Sequence, residues 1–383
     1  MDIEARLTSG VYGKRPLLFV RGEGRRVQDA SGRWYLDFIA GIGTLCLGHC
    51  PPAVVKALQH QAATMISCTE LFYNDARARL LDMLDRTTPA CFNRFFLCNS
   101  GTEAMEGAIK LARQATGRKN FVAFERAFHG RSMGALSATA KKAIRDPFVP
   151  MLPGFSHVPF DDPAALEAAV TDDTAAIIFE PVQGEGGIYE LSPAMAHAIQ
   201  RQRERGVLLI ADEIQSGVFR TGKPYAFQHL SLTPDFICIA KALGGGFPIG
   251  ALAIGPRIPE LPKGCHGSTY GGSPLGCAAA EAVLRTMVDD RLGERCDRMG
   301  RWFRQRLMGM NLPGVIEARG RGLMIGIQLD RDPTPVISAM QERGLLALTA
   351  GVNTIRMLPP FNTTEAEFEE ALSILEAAML ACA

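Results

Sequence analysis

The stretch AAIIFEPVQGEGGIYELSPAMAHAIQRQRERGVLLIADE, residues 175–213, decides how the chain folds. It opens on one short apolar run and closes on another. Between them, SPAMAHAIQRQRERG places its apolar residues at helical spacing. Parallel strands need a crossover, and a single helix of this length supplies one, so the segment reads as a βαβ unit. The first run ends at Glu180 and the second at Asp212 and Glu213.

The same grammar extends outward. RFFLCNS precedes the helical EAMEGAIKLARQAT, NFVAFE follows it, and DFICIAK follows VLLIADE. These runs predict a mostly parallel sheet in a large α/β domain over residues 41–278. PAVVKALQHQAATMI and ARARLLDMLDRT read as helices ahead of it. Residues 17–38 alternate apolar and polar around two turn signals, Gly22–Gly24 and Ser31–Gly32, and predict an antiparallel meander. Past residue 278, helices such as AAAEAVLRTMVDD and RMGRWFRQRLMGM lead to strand-like RGLMIGIQLD and NTIRMLPP and a last helix. That is a smaller α+β domain, 279–383, with which the N-terminal segment 1–40 is expected to pack.

Composition bounds the function. A chain of 383 residues, 47% hydrophobic and 21% charged, is an ordinary globular one with room for two domains. A net charge of +1 argues against nucleic-acid binding by broad phosphate neutralisation. No apolar run reaches membrane-span length, and the N-terminus MDIEARLTSG lacks a hydrophobic signal core. A cytoplasmic location is expected. The ten cysteines stand singly, without a C-x-x-C. Cys46, His49 and Cys50 offer only three candidate ligands, so no metal is expected and the thiols read as small buried side chains.

Ligands of open α/β sheets bind outside the carboxyl ends of the strands. FFLCNSGTEA presents Asn99, Ser100, Gly101 and Thr102 there, and FVAFERAFHGR presents Phe128, His129 and Arg131. IIFEPVQGEGG adds Glu180, Gln183 and Glu185; LLIADEIQSG adds Asp212, Glu213 and Gln215; FICIAKALGGG ends on Lys241. Ser100-Gly101-Thr102 at a helix start suits an anion, and equally suits a plain N-cap. Asp212 closes an apolar run, where a carboxylate needs a cationic partner; a structural ion pair would satisfy it as well. Lys241 lies 29 residues after Asp212. Partial burial lowers a lysine's pKa and frees its amine to form a Schiff base with a carbonyl. Taken together, the three call for one ligand with an aldehyde, a phosphate and a basic ring nitrogen. Pyridoxal phosphate has all three.

On these residues the sequence resembles the class III (ω-) aminotransferases of fold type I. YGKRPLLFVRGEG, YLDFIAGIGTLCLGH, NSGTEAMEGAIKLAR, FHGRSMGALS, EPVQGEGG, ADEIQSGVFRTG, AKALGGGFPIGA, HGSTYGG and IRMLPP follow that family's blocks in order. The likeness is strongest to acetylornithine δ-aminotransferases and to relatives acting on carrier-protein-linked lysine. The resemblance implies pyridoxal phosphate held covalently by Lys241 and paired at its ring nitrogen with Asp212. It places Phe128 and Ile214 on the two ring faces, Gln215 near the phenolic oxygen, and Ser100, Gly101 and Thr102 on the phosphate. Thr269 is implied to reach the phosphate of the neighbouring subunit, which makes a homodimer with a shared site.

The resemblance also implies amino-acid and 2-oxo-acid substrates. Arg356 would clamp the α-carboxylate of glutamate, and Glu185 would pair with it when the ω-amine enters. Arg131, with Tyr12 nearby, would hold the distal carboxylate. An acidic carrier protein becomes a partner if the substrate is carrier-linked lysine. Some residues depart from the family pattern: Ser273 stands where asparagine is usual, Thr69-Glu70 replace a Ser-Asn start, and Cys50 replaces a smaller residue or serine.

Overall fold

The computed structural model describes residues 1–382. Its central sheet has seven strands, in the order Arg94–Cys98, Gly250–Ile254, Phe236–Ile239, Leu208–Asp212, Thr174–Phe179, Asn120–Phe124, Phe155–Val158. Gly250–Ile254 runs antiparallel to both neighbours. The other four pairings are parallel. The two segments of the opening βαβ unit, Thr174–Phe179 and Leu208–Asp212, pair directly, with Ile178 opposite Ile210.

The central strands are buried on both faces, and the alternation of their side chains is visible in the packing. Ile177, Phe179, Leu209, Ala211, Ile237 and Ile239 join one core. The residues between them, Ile178, Leu208, Ile210, Phe236 and Cys238, join another, against Ala104, Ala108 and Leu111 of the helix Gly101–Thr116. That helix starts on a reciprocal cap. Ser100 Oγ accepts the amide of Glu103, whose carboxylate accepts the amide of Asn99 at 2.5 Å. It ends at Gly117 in the left-handed region, φ 69°.

Two strands of the seven carry little sequence signal. Phe155–Val158 is a polar edge strand, FSHV, and Gly250–Ile254 is small-residued GALAI. GALAI is a strand because it fills the slot between Arg94–Cys98 and Phe236–Ile239; tertiary context outweighs the weak local propensity.

The meander forms over Phe19–Glu23, Arg26–Asp29 and Trp34–Asp37. Leu345–Leu346 adds to it in parallel, beside Trp34–Asp37. Arg25 pairs with Glu367 at 3.0 Å, and the Phe38 and Phe368 rings lie 5.6 Å apart. The N-terminal strands are therefore stitched to the C-terminal part of the chain. There, Val315–Arg321, Met324–Leu329, Thr354–Met357 and Leu348–Ala350 form an antiparallel sheet. The helix Pro274–Asp289 runs continuously past residue 278, and one core cluster reaches from Leu36 through Ile177 to Met379.

Candidate active site

A cavity of about 410 Å³ opens at the carboxyl ends of the parallel strands. Its position follows from the topology. Asp212 is the last residue of its strand and pairs in register with Cys238 on the next. Lys241 follows Cys238 by three residues, in the turn that the chain makes to enter Gly250–Ile254. Adjacent strands thus bring a carboxylate and an amine to one edge.

The turn is conformationally demanding. Lys241 itself has φ 46°, a left-handed conformation that a lysine adopts only where its surroundings enforce it. Gly245 and Gly246 follow at φ 57° and 106°. A Cβ on Gly245 would lie 2.7 Å from Val283 Cγ2, and one on Gly246 would lie 2.7 Å from Leu45 Cδ2. These glycines are needed for the backbone path and for close packing against Val283 and Leu45.

Lys241 is half-buried on the cavity wall. Burial pushes the amine below its ordinary pKa; Asp212 opposes that shift, while the positive charge of Arg356 adds to it. Asp212 is 4% exposed. Its Oδ2 lies 2.7 Å from His129 Nδ1, and its Oδ1 accepts the amide of Ile214 at 3.1 Å. His129 is buried too. Burial disfavours its charged form, but the hydrogen bond and charge of Asp212, helped by Glu180, raise its pKa overall. Its Nε2 has no partner among the described residues. Glu180, buried on the same wall, is pushed up to about 7 by burial, with His129 opposing and Asp212 reinforcing. It accepts amides from Gly184 at 3.1 Å and Phe128 at 3.2 Å, fixing the loops that carry Glu185 and Phe128.

Ser100, Gly101 and Thr102 line the cavity at the start of a 16-residue helix, where unpaired amides and the helix dipole favour an anion. Thr102 Oγ1 lies 2.5 Å from Ser132 Oγ. A Cβ on Gly101 would lie 2.7 Å from Ile214 Cδ1, so Ile214 packs directly over the turn. Phe128 lines the cavity, with the Arg131 guanidinium 5.8 Å from its ring centroid.

Arg356 stands behind this wall, 3% exposed, on the buried strand Thr354–Met357. Its Nη1 donates to Glu185 Oε1 at 2.5 Å and to Gln215 Oε1 at 3.3 Å, and both acceptors line the cavity. Its Nε has no partner among the described residues.

Two expected residues lie elsewhere. Tyr12 is 80% exposed and is absent from the cavity wall. Residues 1–16 are all exposed; Arg15 reaches Gln341 and the carbonyl of Ala347, but Tyr12 is not carried to the cavity. Thr269 is also exposed and outside the cavity. The expected pairing of Asp212 omits His129, which stands 83 positions away and takes one carboxylate oxygen. Sequence places His129 at the right sheet edge but does not reveal its partner. The Cys46 thiol donates to Ala242 O at 3.1 Å, and His49 pairs with Asp37 at 2.8 Å.

These groups fit pyridoxal phosphate. A desolvated amine suits its aldehyde, a buried carboxylate backed by an imidazole suits a protonated ring nitrogen, and a helix N-terminus with two hydroxyls suits its phosphate. With the mostly parallel sheet they define a pyridoxal-phosphate-dependent transferase of fold type I. The chain belongs to the class III aminotransferase family, whose model, Aminotransferase class-III, matches residues 9–379. It is 45% identical to the acetylornithine aminotransferase of Methanopyrus kandleri, over 97% of this chain and 96% of that protein. It is 43% identical to the [LysW]-aminoadipate semialdehyde transaminase of Deinococcus radiodurans, over 97% of this chain and 88% of that one. Among solved structures, the ornithine aminotransferase of Toxoplasma gondii, described with pyridoxal phosphate at partial occupancy in its active site, superposes with a TM-score of 0.93 at 33% identity. That match covers 99% of this chain and 93% of the other. The chain is therefore a transaminase that uses pyridoxal phosphate.

Proposed function

We propose that this transaminase moves the terminal amino group of N-acetylornithine to 2-oxoglutarate in two alternating half-reactions, giving the semialdehyde and glutamate in amino-acid biosynthesis, specifically that of arginine. The observation that carries the reading is the pair between buried Arg356 and half-buried Glu185 at 2.5 Å, with Glu185 on the wall of the cavity that holds Lys241. Two unlike substrates must use one site. Glutamate brings an α-carboxylate, for which Arg356 is the bidentate partner. An ω-amine brings none to that position, and a buried arginine left unpaired is costly, so Glu185 returns to it. The name of the Methanopyrus kandleri relative supports the choice of amine.

The remaining roles follow the same reading. When bound, pyridoxal phosphate supplies the aldehyde that accepts the amine and a ring that withdraws electrons from the substrate carbon. Lys241 anchors it covalently and, with its pKa lowered by burial, can take and return the substrate-carbon proton. Asp212 holds the proton on the ring nitrogen, and His129 orients Asp212. Ser100, Gly101 and Thr102 bind the phosphate, Phe128 and Ile214 enclose the ring, and Gln215 lies by its phenolic oxygen. Arg131 holds the distal carboxylate of the substrate, with Tyr12 assisting once its segment is seated.

A homodimer completes the site, with Thr269 reaching the neighbouring phosphate. Exposed apolar side chains support this: Ile66, Leu71, Phe72 and Tyr73 are 60–107% exposed, and Tyr270 beside Thr269 is 66% exposed. Arg77 ties the two loops together by donating to the carbonyls of Cys68, Phe72 and Gly272. We also infer a cytoplasmic enzyme, in which residues 1–40 pack with the small domain 279–383 beside the large domain 41–278. Among the described residues no helix is long and apolar enough to cross a membrane.

A second reading, the same chemistry on carrier-linked or N-acetylated lysine in lysine biosynthesis, is supported by the Deinococcus radiodurans relative, and brings an acidic carrier protein as partner. Comparing kcat/KM for N-acetylornithine, N-acetyllysine, carrier-linked lysine, ornithine and 4-aminobutyrate separates the readings. N-acetylornithine is expected to lead; 4-aminobutyrate in first place would overturn the acetylornithine assignment.

A further inference from the structure

Glu185 sits at the tip of a hairpin. Val182–Gln183 pairs antiparallel with Tyr189–Glu190, and residues 184–188 connect them. The backbone of the tip is strained. Gly187 takes φ 119°, and Ile188, wholly buried, takes φ 60°. A β-branched residue holds that conformation only where its surroundings enforce it.

One arginine on the strand Val315–Arg321 reaches this tip. Arg319 Nε donates to Gly187 O at 2.8 Å, and its Nη2 donates to Thr354 Oγ1 at 2.8 Å. Its Nη1 donates to Gln328 Oε1 and, at 2.5 Å, to Glu317 Oε1. The guanidinium lies 3.8 Å from the Tyr189 ring centroid. With all three nitrogens engaged and an aromatic ring beside it, the group is fixed in place. Two of its contacts bridge the halves of the Arg356–Glu185 pair. Gly187 stands two residues after Glu185, and Thr354 stands two residues before Arg356 on the same strand.

The two halves depend on this bridge unequally. The Arg356 strand is paired on both sides, with Met324–Leu329 and with Leu348–Ala350, and those ladders hold it without Arg319. The Glu185 tip has no ladder of its own. Three contacts hold its backbone: the Gly351 amide donates to Glu185 O at 2.8 Å, the Gly184 amide donates to Glu180 Oε1 at 3.1 Å, and Arg319 takes Gly187 O. With the backbone pinned, the Glu185 side chain, 30% exposed, is the part free to leave Arg356 and return.

We propose that Arg319 is a positioning residue for the substrate switch: it pins the hairpin tip so that Glu185 returns to Arg356 when the substrate brings no carboxylate there. The inference rests on the two-substrate reading of Arg356 and Glu185 above. It makes the two half-reactions unequal in their need for Arg319. With the tip released, Arg356 stands uncompensated as the ω-amine enters, and its charge repels the substrate's ammonium. Glutamate supplies its own carboxylate to Arg356 and does not need Glu185 to return.

The test follows the loss of yellow colour of pyridoxal-phosphate-loaded enzyme in single turnovers with N-acetylornithine and, on the same preparation, with glutamate. Arg319→Gln is expected to lower the ratio of the two apparent second-order constants, N-acetylornithine over glutamate, by roughly tenfold. A misfolded fraction cancels from the ratio. Arg319→Lys, which keeps a donor for Gly187 O, should recover part of it; should Arg319→Gln not fold, Arg319→Lys carries the test with a smaller drop. In a Glu185→Gln background, Arg319→Gln should change the ratio no further, because it acts through Glu185. A ratio that the Arg319 variants leave unchanged while Glu185→Gln lowers it, or effects of the two substitutions that multiply, overturns the positioning role and leaves the switch standing. A ratio that Glu185→Gln itself leaves unchanged overturns the switch, and the role of Arg319 with it.

Discussion

At the scale of single residues, the chemistry depends on charges held where water would otherwise release them. Arg356 is the sharpest case. Its strand is buried, and its partners Glu185 and Gln215 belong to two other loops. Lysine lacks the planar fork that grips a carboxylate at two points. Arg356→Lys should therefore raise the KM for glutamate by roughly 10- to 100-fold, or about 2 kcal/mol, with a smaller change for N-acetylornithine. Steady-state kinetics in both directions check this; equal changes for the two substrates would remove the switch. Glu213 tests a different property. It is fully buried, accepts from Ser216 Oγ at 2.7 Å and the Phe227 amide at 2.8 Å, and is pushed by burial from 4.5 to about 7. A carboxyl raised on folding binds its proton more tightly in the native state. Its contribution is complete below pH 4.5 and lost as pH rises to about 7. Denaturant unfolding of wild type and Glu213→Gln across this range should show a difference that moves against the wild type with rising pH, by on the order of 2–3 kcal/mol. Much of this site is legible in sequence because Lys241, Asp212 and Ser100-Gly101-Thr102 each stand at the end of an apolar run. The contact of His129 with Asp212 is not legible, because only folding brings positions 83 residues apart together.

At the scale of elements, turns set the position of reactive groups. The Lys241 turn needs a left-handed Gly245, where an added Cβ would lie 2.7 Å from Val283 Cγ2. Gly245→Ala should destabilise the fold by about 1–3 kcal/mol through strain and contact together, and weaken cofactor retention because Lys241 moves with the turn. Thermal unfolding and cofactor titration measure the two effects. The cap at Ser100 does two jobs, holding the amide of Glu103 and presenting a hydroxyl to the cavity. Ser100→Ala should cost about 1 kcal/mol of stability and also loosen cofactor binding, whereas a cap alone would give only the first. The strands with strong alternation or unbroken apolar runs are readable in advance. GALAI is not, because its neighbours rather than its own residues make it a strand.

At the scale of the molecule, the N-terminal meander and the C-terminal segment close on each other through Leu345–Leu346 and the Arg25–Glu367 pair. What the chain leaves uncovered is as informative. Tyr12, Phe72, Tyr73 and Tyr270 are all more than half exposed. In the proposed dimer a second copy would complete this surface, about which sequence patterns within one chain say little; Thr269 and Tyr12 are the two expected site residues that this chain does not bring to the cavity. Phe72→Asp with Tyr270→Asp should shift the protein from dimer to monomer in sedimentation and reduce its affinity for pyridoxal phosphate. A variant that remains dimeric would place the interface elsewhere.

The most direct test of the central claim is a half-reaction followed by absorbance. Protein loaded with pyridoxal phosphate should lose its yellow colour on mixing with N-acetylornithine and regain it on adding 2-oxoglutarate, and Lys241→Ala should show no covalently held cofactor. Loaded protein whose spectrum N-acetylornithine leaves unchanged, or a Lys241→Ala variant that still holds the cofactor covalently, would contradict the account.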